Sequence, residues 1–269
     1  MQPVPSYTFM EPEGQLAHYT SASVVFEHIL PSAQLRMSPY RAMRDPAENK
    51  DLVPGTAGWG DGPGIADYAR ALDEIKRVRD SMRVLSMTQD APGGTGQFGC
   101  CWARPRMWEQ YGDLHRGACL VFHRERLQTI LREDWAPRRT AYYLGEVRYT
   151  RAGIAESASR TLIDDRILKG EPTDRADALA EYIQRYHKDF FFLKTDDFAT
   201  EYEYRAVVLA PSDDFAFVQY KDALAAVVVG EHFASWQLAG AAKACDAAGV
   251  ELRRVYWFGG RPHAVRVKE

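Results

Sequence analysis

The late part of the sequence contains three strand-like stretches with no helical segment between them. They are "EYRAVVLA", "FAFVQY" and "AAVVVG", which begin at residues 203, 215 and 225. Each stretch is short and rich in β-branched or aromatic residues, as is typical of strands. A doubly wound parallel sheet has a helix between successive strands, so this order favours an α+β fold.

The rest of the chain predicts further strands and helices of the same fold. "LAHYTS", "SASVVFEHILPS" and "QLRMSPYRAM" predict a strand, a short helix and a strand that Pro39 interrupts. Apolar residues recur at helical spacing from Ile65 to Val78, and strands are predicted at "RVLSMTQ", "GACLVFH" and "AYYLGEVRYT". We expect residues 1–269 to form a single domain with a helical insertion at about 152–194, broken at "GEPTD".

The bulk composition limits the class of protein. With 46% apolar residues in a chain of 269, a full core can form, and the net charge of -3 argues against a basic surface over the whole molecule. The first residues lack the basic and apolar regions of a signal peptide, and the apolar run "ALAAVVVG" is too short to span a bilayer. We therefore expect a cytoplasmic protein with no membrane partner.

Four cysteines occur without the spacing of a zinc site, at Cys100, Cys101, Cys119 and Cys245. Reduced thiols are expected, as in a cytosolic protein. Cys101 could be a catalytic thiol with a histidine such as His115, but a free cysteine more often behaves as a small buried apolar residue.

Several well-known site motifs are absent from the sequence. The scattered histidines form no HExxH motif, and neither GxGxxG after a strand nor GxSxG occurs. The glycine-rich "APGGTGQFG" lacks the Lys-Ser/Thr ending of a phosphate-binding loop, so it is interpreted as a connector. A metal site is not expected.

The stretch "EYEYR" places two carboxylates at the start of a predicted strand. Alternation predicts that Glu201, Glu203 and Arg205 share one face of that strand. Charges at a solvated sheet edge are one explanation, because they discourage edge-to-edge pairing. A site that stabilises positive charge is the other. Arg205 is expected to be a structural partner of a neighbouring acid.

Three other groups of residues are candidates for a site. They are His18, Tyr19 and Thr20 at the end of the first strand; Ser38, Tyr40 and Asp45 in "SPYRAMRDPAE"; and Trp108 and Tyr111 in "MWEQY". Each group also has a structural interpretation. A single histidine is more often a satisfied structural residue, the "SPYRAMRDPAE" turn can be a hydrogen-bonded loop, and aromatic residues three apart are usually core.

Four stretches together resemble the bacterial domain of unknown function 2971 family. In order they are "LAHYTSASVVFEHILPSAQLRMSPYRAMRDPAE", "MWEQYGDLHRGACLVF", "FLKTDDFATEYEYRAVV" and "AAVVVGEH". The family pattern has His-Tyr-Thr, Ser-Pro followed by Asn-Asp-Pro, Met-Trp-x-x-Tyr and Glu-x-Glu-Trp-Arg. This chain departs from it at Arg44, where Asn is usual, and at Tyr204, where Trp is usual.

His-x-Thr on a first strand and a glutamate on a late strand also resemble, more distantly, the ADP-ribosyltransferase superfamily. That resemblance implies a split β-sheet core with flanking and inserted helices. It also implies that His18 and Thr20 hold NAD and that Glu203 acts at the nicotinamide ribose. Tyr19, Tyr40, Trp108 and Tyr111 are then candidates to pack on nicotinamide, and Glu201 could orient or deprotonate the nucleophile.

The resemblance predicts an NAD-dependent ADP-ribosyltransferase, such as a bacterial toxin or phage-defence effector with a possible antitoxin partner. The acceptor is a nucleic acid or a protein that the sequence does not identify. The arginines and tyrosines of "APRRTAYYLGEVRYTRAG" could contact nucleic acid, although a solvated strand is the more common explanation. An NAD glycohydrolase and a noncatalytic ligand-sensing or interaction module remain alternatives.

Overall fold

A computed structural model describes residues 9, 11–43, 48, 54–56, 64–138, 140–151, 161–210 and 216–267. The strands are β1 Gln15–Thr20, β2 Gln34–Pro39, β3 Gly55–Thr56, β4 Met82–Gln89, β5 Ala118–His123, β6 Tyr142–Glu146, β7 Arg148–Thr150, β8 Leu162–Ile163, β9 Leu193–Thr195, β10 Glu203–Leu209, β11 Ala216–Gln219, β12 Leu224–Val229, β13 Glu251–Phe258 and β14 Arg261–Arg266. The α-helices are α1 Leu30–Ser32, α2 Ile65–Asp80, α3 Pro105–Gln110, α4 Arg124–Trp135, α5 Asp165–Lys169, α6 Pro172–Phe191 and α7 Leu238–Ala247.

Ten of these strands form one mixed sheet. Its order is β11-β2-β4-β1-β5-β12-β13-β14, and β10 pairs with both β4 and β6. Within this sheet only β12 and β13 pair in parallel, while the other described pairs are antiparallel. The structure therefore confirms the predicted α+β class and the absence of regular β-α-β alternation.

The sheet splits at β4. One edge of β4 pairs with β10 along its whole length, from Glu203 opposite Thr88 to Leu209 opposite Met82. The other edge is shared: β1 pairs with it near Thr88, and β2 pairs with it near Val84. Between these two pairings β1 and β2 diverge, so the sheet opens beside residues 85–87.

The helices cover the two faces of the sheet unequally. Along β10, Tyr204, Ala206 and Val208 point into a core that α4 and α7 complete. Val207 points to the opposite face, where α2, α5 and α6 pack. A second core on that opposite face surrounds Trp108. Because Glu203 and Arg205 alternate with Tyr204, they lie on the same face as Val207.

A π-helical segment, Val24–Ile29, connects β1 to β2 and continues into α1. Its wider turn is closed by the Leu30 amide, which donates to the carbonyl of Val25, five residues earlier. Val25 and Ile29 are buried against the sheet. π-helical segments are rare in proteins, and those that do occur are often found at functional sites.

The predicted helical insertion at 152–194 is only partly helical. Residues 152–160 lie outside the described residues, Leu162–Ile163 forms β8 beside β3, and Leu193–Thr195 forms β9 beside β7. The predicted strand "AYYLGEVRYT" also divides into β6 and β7. It divides because the Val147 amide donates to the carbonyl of Glu203, whereas the next amide, of Arg148, donates to the carbonyl of Phe192.

The last two strands form a hairpin closed by two glycines. Phe258 pairs with Arg261, which leaves Gly259 and Gly260 as a two-residue loop. Both glycines have positive φ angles, 58° and 74°, as a type I′ turn requires. None of the helices in the described part of the chain is both long and apolar enough to cross a bilayer.

Candidate functional site

A cleft of about 220 Å³ opens where the sheet splits. Its walls come from β1, β2 and β4 and from segments around Met107, Lys194 and Glu203. The polar side chains that line it are His18, Arg36, Ser38, Ser86, Thr88, Tyr111, Lys194, Glu201 and Glu203. The cleft thus contains side chains that lie far apart in the sequence, from Ala17 to Glu203.

Buried charges lie beside the cleft, in what we call the charged cluster: Glu48, Lys194, Glu201, Glu203 and Arg205. Of these, Lys194, Glu201 and Glu203 line the cleft. Arg205 donates to Glu203 through Nε at 2.7 Å and Nη2 at 2.9 Å, and its Nη1 lies 2.5 Å from Glu48. Lys194 donates to Glu201 at 2.6 Å and to Glu203 at 3.2 Å. Three acids and two bases are therefore in contact, with one more carboxylate than cation.

The backbone conformation at Glu201 and Glu203 differs from the continuous strand that the sequence predicted. Glu201 ends a 3₁₀ helix, Asp196–Glu201, and only Glu203 belongs to a strand. Tyr202 between them has a φ of 45°, which turns the chain so that both carboxylates approach Lys194. The solvated-edge explanation is wrong for both, because Glu201 and Glu203 are only 3% and 4% exposed.

The surrounding charges set the ionisation of the cluster. Burial alone would raise the pKa of Glu203, but Arg205 and Lys194 outweigh burial and lower the pKa to about 2. Burial lowers the pKa of Lys194, yet the carboxylates of Glu203 and Glu201 raise it above its ordinary value. Burial raises the pKa of Glu48. The cleft therefore contains an ionised Glu203 beside a protonated Lys194.

His18 lies in the opening between β1 and β2. Its Nδ1 is 3.2 Å from the carbonyl oxygen of Ser86, on the stretch of β4 that neither β1 nor β2 pairs with. A carbonyl can only accept, so Nδ1 carries the proton, and Nε2 of the neutral ring is an acceptor. Burial lowers the pKa of His18 and the charge of Arg36 lowers it further, while the hydrogen bond to Ser86 opposes both. The ring is accordingly neutral near pH 7.

Thr88 places a hydroxyl in the cleft that the protein does not satisfy. The side chain is 1% exposed, and its Oγ1 has no hydrogen-bond partner among the residues that the structure describes. Buried hydroxyls are normally paired, and leaving one unpaired costs free energy.

The aromatic candidates have different positions. Tyr111 lines the cleft and donates its hydroxyl to Glu201 at 3.1 Å. Burial and the charge of Glu201 raise the pKa of Tyr111 to about 12, so the hydroxyl stays protonated. Tyr19 also lines the cleft, but its hydroxyl donates to the carbonyl of Cys101.

Tyr40 and Trp108 are core residues, and their contact with a ligand stays a prediction that their positions do not favour. The Tyr40 hydroxyl donates to the carbonyl of Phe190, and its ring meets Phe191 edge-on. The Trp108 indole donates to the carbonyl of Trp102, and the side chain is fully buried. Neither side chain lines the cleft.

The remaining sequence candidates have mixed outcomes. Ser38 lines the cleft. Thr20, the last residue of β1, pairs with Ala118 and does not line it. Asp45 lies outside the described residues, as does Arg44, where the chain departs from the family pattern.

Sequence reasoning missed Lys194 and Thr88, and it noted Glu48 only as part of the "SPYRAMRDPAE" turn. Lys194 follows the apolar run "FFFL", and a lysine at the end of such a run is a signal that a buried charge needs partners nearby. Thr88 carries no comparable signal, because only the pairing of β4 makes it important. The contact of Glu48 with Arg205 could not be read from the turn itself.

The cysteines behave as packing residues. All four are free and buried. Burial raises the pKa of Cys101 well above its ordinary value, and the charge of Asp90 raises it further, so no reactive thiolate forms. Cys101 does not line the cleft. In the part of the chain that the structure describes, no group of histidine, cysteine or acidic residues could hold a metal ion.

Comparison with known proteins adds a partial family match. Residues 107–206 match the family model described as "Protein of unknown function (DUF2971)". This DUF2971 match supports the family resemblance over less than half of the chain. It includes Tyr111, Lys194, Glu201 and Glu203 but ends before β11 and begins after β1 and β2. No curated protein and no solved structure was found to match the chain.

Proposed function

We propose that the cleft binds NAD and that the protein breaks the bond between nicotinamide and ribose, transferring ADP-ribose to a macromolecule. The observation that carries this proposal is that His18 and the ionised carboxylate of Glu203 line one cleft, although 185 residues separate them in the sequence. A neutral acceptor and a fixed negative charge then lie on walls of the same small space.

The charge distribution supports cleavage of this bond. As the C–N bond breaks, its electron pair leaves with nicotinamide, which becomes neutral, and positive charge develops at the sugar carbon. Glu203 is ionised and buried, so its charge stabilises that carbon without solvent reorganisation. Arg205 and Lys194 hold the carboxylate in place through hydrogen bonds to both of its oxygens.

The nucleophile completes the step. A hydroxyl or other nucleophilic group of the acceptor forms the new bond to the sugar carbon and loses a proton. Glu201 is the proposed base, with Tyr111 donating to one of its oxygens and Lys194 to the other. If water takes the place of the macromolecule, the same step yields free ADP-ribose, which is the glycohydrolase alternative.

The size and polarity of the cleft suit only part of NAD. A volume of about 220 Å³ is below the roughly 300–1,000 Å³ typical of pockets that enclose a whole ligand. We therefore place the nicotinamide and its ribose inside and the adenosine outside. His18 Nε2 accepts from a ribose hydroxyl or the carboxamide, and the Thr88 hydroxyl gains a partner.

A noncatalytic ligand-binding module is the second candidate, and one observation favours it. Both oxygens of Glu203 already accept hydrogen bonds from Arg205, and one also accepts from Lys194. A carboxylate held this way can be purely structural. In that case the cleft binds a small polar ligand and does not change it.

The decisive experiment is incubation of the pure protein with labelled NAD, alone and with candidate protein, DNA or RNA acceptors. Labelled acceptor together with free nicotinamide supports the transferase, and free ADP-ribose as the main product supports the glycohydrolase. If NAD binds without release of nicotinamide, the noncatalytic module is correct. If NAD neither binds nor reacts, the proposal fails.

Two matched histidine variants test whether the reaction depends on the cleft. His18→Asn removes the acceptor in the cleft and is expected to lower the rate of nicotinamide release at least tenfold. His28→Asn changes an exposed histidine on the π-helical segment and should leave the rate unchanged. Equal rates for the two variants would remove His18 from the site.

A further inference from the structure

The C-terminal hairpin presents an exposed aromatic and basic surface on the sheet face that α7 covers. Leu252 packs in the core beneath α7, so alternation along β13 places Arg254, Tyr256 and Phe258 on that face. Opposite them on β14 lie Val265, His263 and Arg261. The surface therefore continues across both strands of the hairpin.

Trp236 extends this surface. It belongs to the 3₁₀ turn Ser235–Gln237, which directly precedes α7. The Nη1 of Arg254 lies 3.4 Å from the hydroxyl of the adjacent Ser235, which brings the turn next to β13. We call the set Trp236, Arg254, Tyr256, Phe258, Arg261 and His263 the hairpin surface.

The aromatic side chains of the hairpin surface are unusually exposed for their size. Trp236 is 81% exposed, Phe258 79% and Tyr256 40%. Large aromatic side chains usually bury most of their area, because each loses a large hydrophobic contribution when left in water. Three of them together on one face indicate an interaction surface.

The charge of the hairpin differs from that of the whole chain. Residues 252–267 contain four arginines and no aspartate or glutamate, whereas the chain has a net charge of -3. On the opposite face Arg253 and Arg266 pair with Glu251. Arg254 instead donates to the carbonyls of Glu231 and Phe233, and no described carboxylate pairs with Arg254 or Arg261. Their positive charge is therefore available to an anionic partner.

We propose that the hairpin surface binds single-stranded nucleic acid. Exposed rings next to arginines match a chain in which unpaired bases alternate with phosphates, because bases stack on aromatic rings and phosphates attract guanidinium groups. The stacking of Arg254 over Tyr256, 5.3 Å from the ring centroid, holds the two side chains in place before binding. This inference is independent of the chemistry in the cleft.

The test measures binding of fluorescent oligonucleotides of roughly 12 nucleotides by anisotropy, since single-strand sites cover about 4–16 nucleotides. Binding of single-stranded DNA or RNA is expected, and it should weaken steeply between about 50 and 200 mM salt. Phe258→Ala should reduce affinity about fivefold or more through lost stacking. Arg261→Gln should reduce the magnitude of the salt slope by about 0.7.

Two control variants test whether a loss of affinity is specific to the hairpin surface. Phe217→Ala removes an exposed aromatic ring on β11, at the other end of the sheet, and Arg138→Gln removes an exposed charge after α4. Neither should change affinity, and thermal melts should show that all four variants fold.

Four outcomes would overturn the proposal. The first is no binding of single strands at about 50 mM salt, and the second is that the two hairpin variants bind as tightly as the control variants. The third is that duplex DNA binds with the same affinity as single strands. The fourth is that polyglutamate competes as well as a single strand does, which would assign the surface to acidic proteins.

Discussion

The ammonium nitrogen of Lys194 lies 2.6 Å from one oxygen of Glu201, and both side chains are at most 5% exposed. The same nitrogen is 3.2 Å from Glu203. One buried cation thus joins two acids that approach the site from a 3₁₀ helix and from a strand. Removal of this cation would leave like charges facing each other in a medium that screens them poorly.

Replacement of Lys194 by methionine is therefore expected to destabilise the fold. Breaking a buried ion pair by removing one partner typically costs about 3–5 kcal/mol. Urea denaturation should show a loss of this size for Lys194→Met. Lys76→Met is the matched control, because Lys76 is half exposed and pairs with Asp80 on the surface of α2, where such pairs contribute about 0–1 kcal/mol. Similar losses for the two variants would contradict the structural role of Lys194.

Glu203→Gln is expected to affect both activity and stability. A position near the surface would predict little effect on folding, but the carboxylate is buried and neutralises Arg205. The substitution should cost about 3 kcal/mol at pH 7. Any loss of turnover in this variant must therefore be measured at a temperature where the variant remains folded.

The stability effect of the same substitution is expected to depend on pH. The pKa of Glu203 in the folded protein, about 2, lies below its ordinary value of 4.5, so its contribution to stability is present above pH 4.5 and is lost as the pH falls towards 2. The difference in unfolding free energy between the natural protein and Glu203→Gln should therefore shrink over that interval. For Glu133→Gln, an exposed position on α4, the difference should stay within about 0.5 kcal/mol throughout. A constant difference for Glu203→Gln would show that Glu203 is not held as an anion.

Thr88→Val separates ligand binding from folding. The Thr88 hydroxyl is buried without a described partner, so its removal should leave stability unchanged or slightly higher. Thr140→Val is the contrasting change, because the Thr140 hydroxyl donates to the carbonyl of Leu209, and its loss should cost about 1 kcal/mol. NAD titration by calorimetry should show weaker binding only for Thr88→Val. Unchanged affinity in that variant would place the ligand away from Thr88.

The thiols are expected to be inert in the folded protein. Burial raises the pKa values of Cys101 and Cys119 well above their ordinary range, so neither forms a thiolate near pH 8. A thiol-specific chromogenic reagent should report no fast reaction before denaturant is added and four equivalents afterwards. One rapidly reacting thiol in the native protein would restore the hypothesis of a catalytic cysteine.

Local patterns predicted most of the strands and helices, because hydrophobic periodicity reflects which face is buried. The amphipathic pattern of α2 and the β-branched run of β12 both correspond to observed elements. The division of "AYYLGEVRYT" into β6 and β7 could not be predicted in this way. It depends on a change of hydrogen-bond partner from β10 to β9, and no local pattern contains that information.

The site was predictable only in part for a similar reason. His18, Glu201 and Glu203 stand out because polar side chains occur near the ends of predicted strands, and Tyr111 stands out as one of two aromatic residues three apart. Thr88 lies inside a strand, and its importance depends on where β1 and β2 diverge from β4. Tyr40 and Trp108 show the opposite case, because they stand out in the sequence but lie in the core. Their hydroxyl and indole groups are satisfied by backbone carbonyls, which a sequence does not reveal.

The π-helical turn between β1 and β2 has a consequence for how this protein can vary. A turn closed across five residues instead of four contains one residue more than an α-helix of the same rise. Deletion of one residue between Val24 and Ile29 would allow ordinary helical bonding, but it would also shorten the connection between the two strands that supply His18 and Ser38 to the cleft. We therefore expect natural or engineered changes of length in this connection to alter the width of the opening between β1 and β2 and the size of the molecules that can enter.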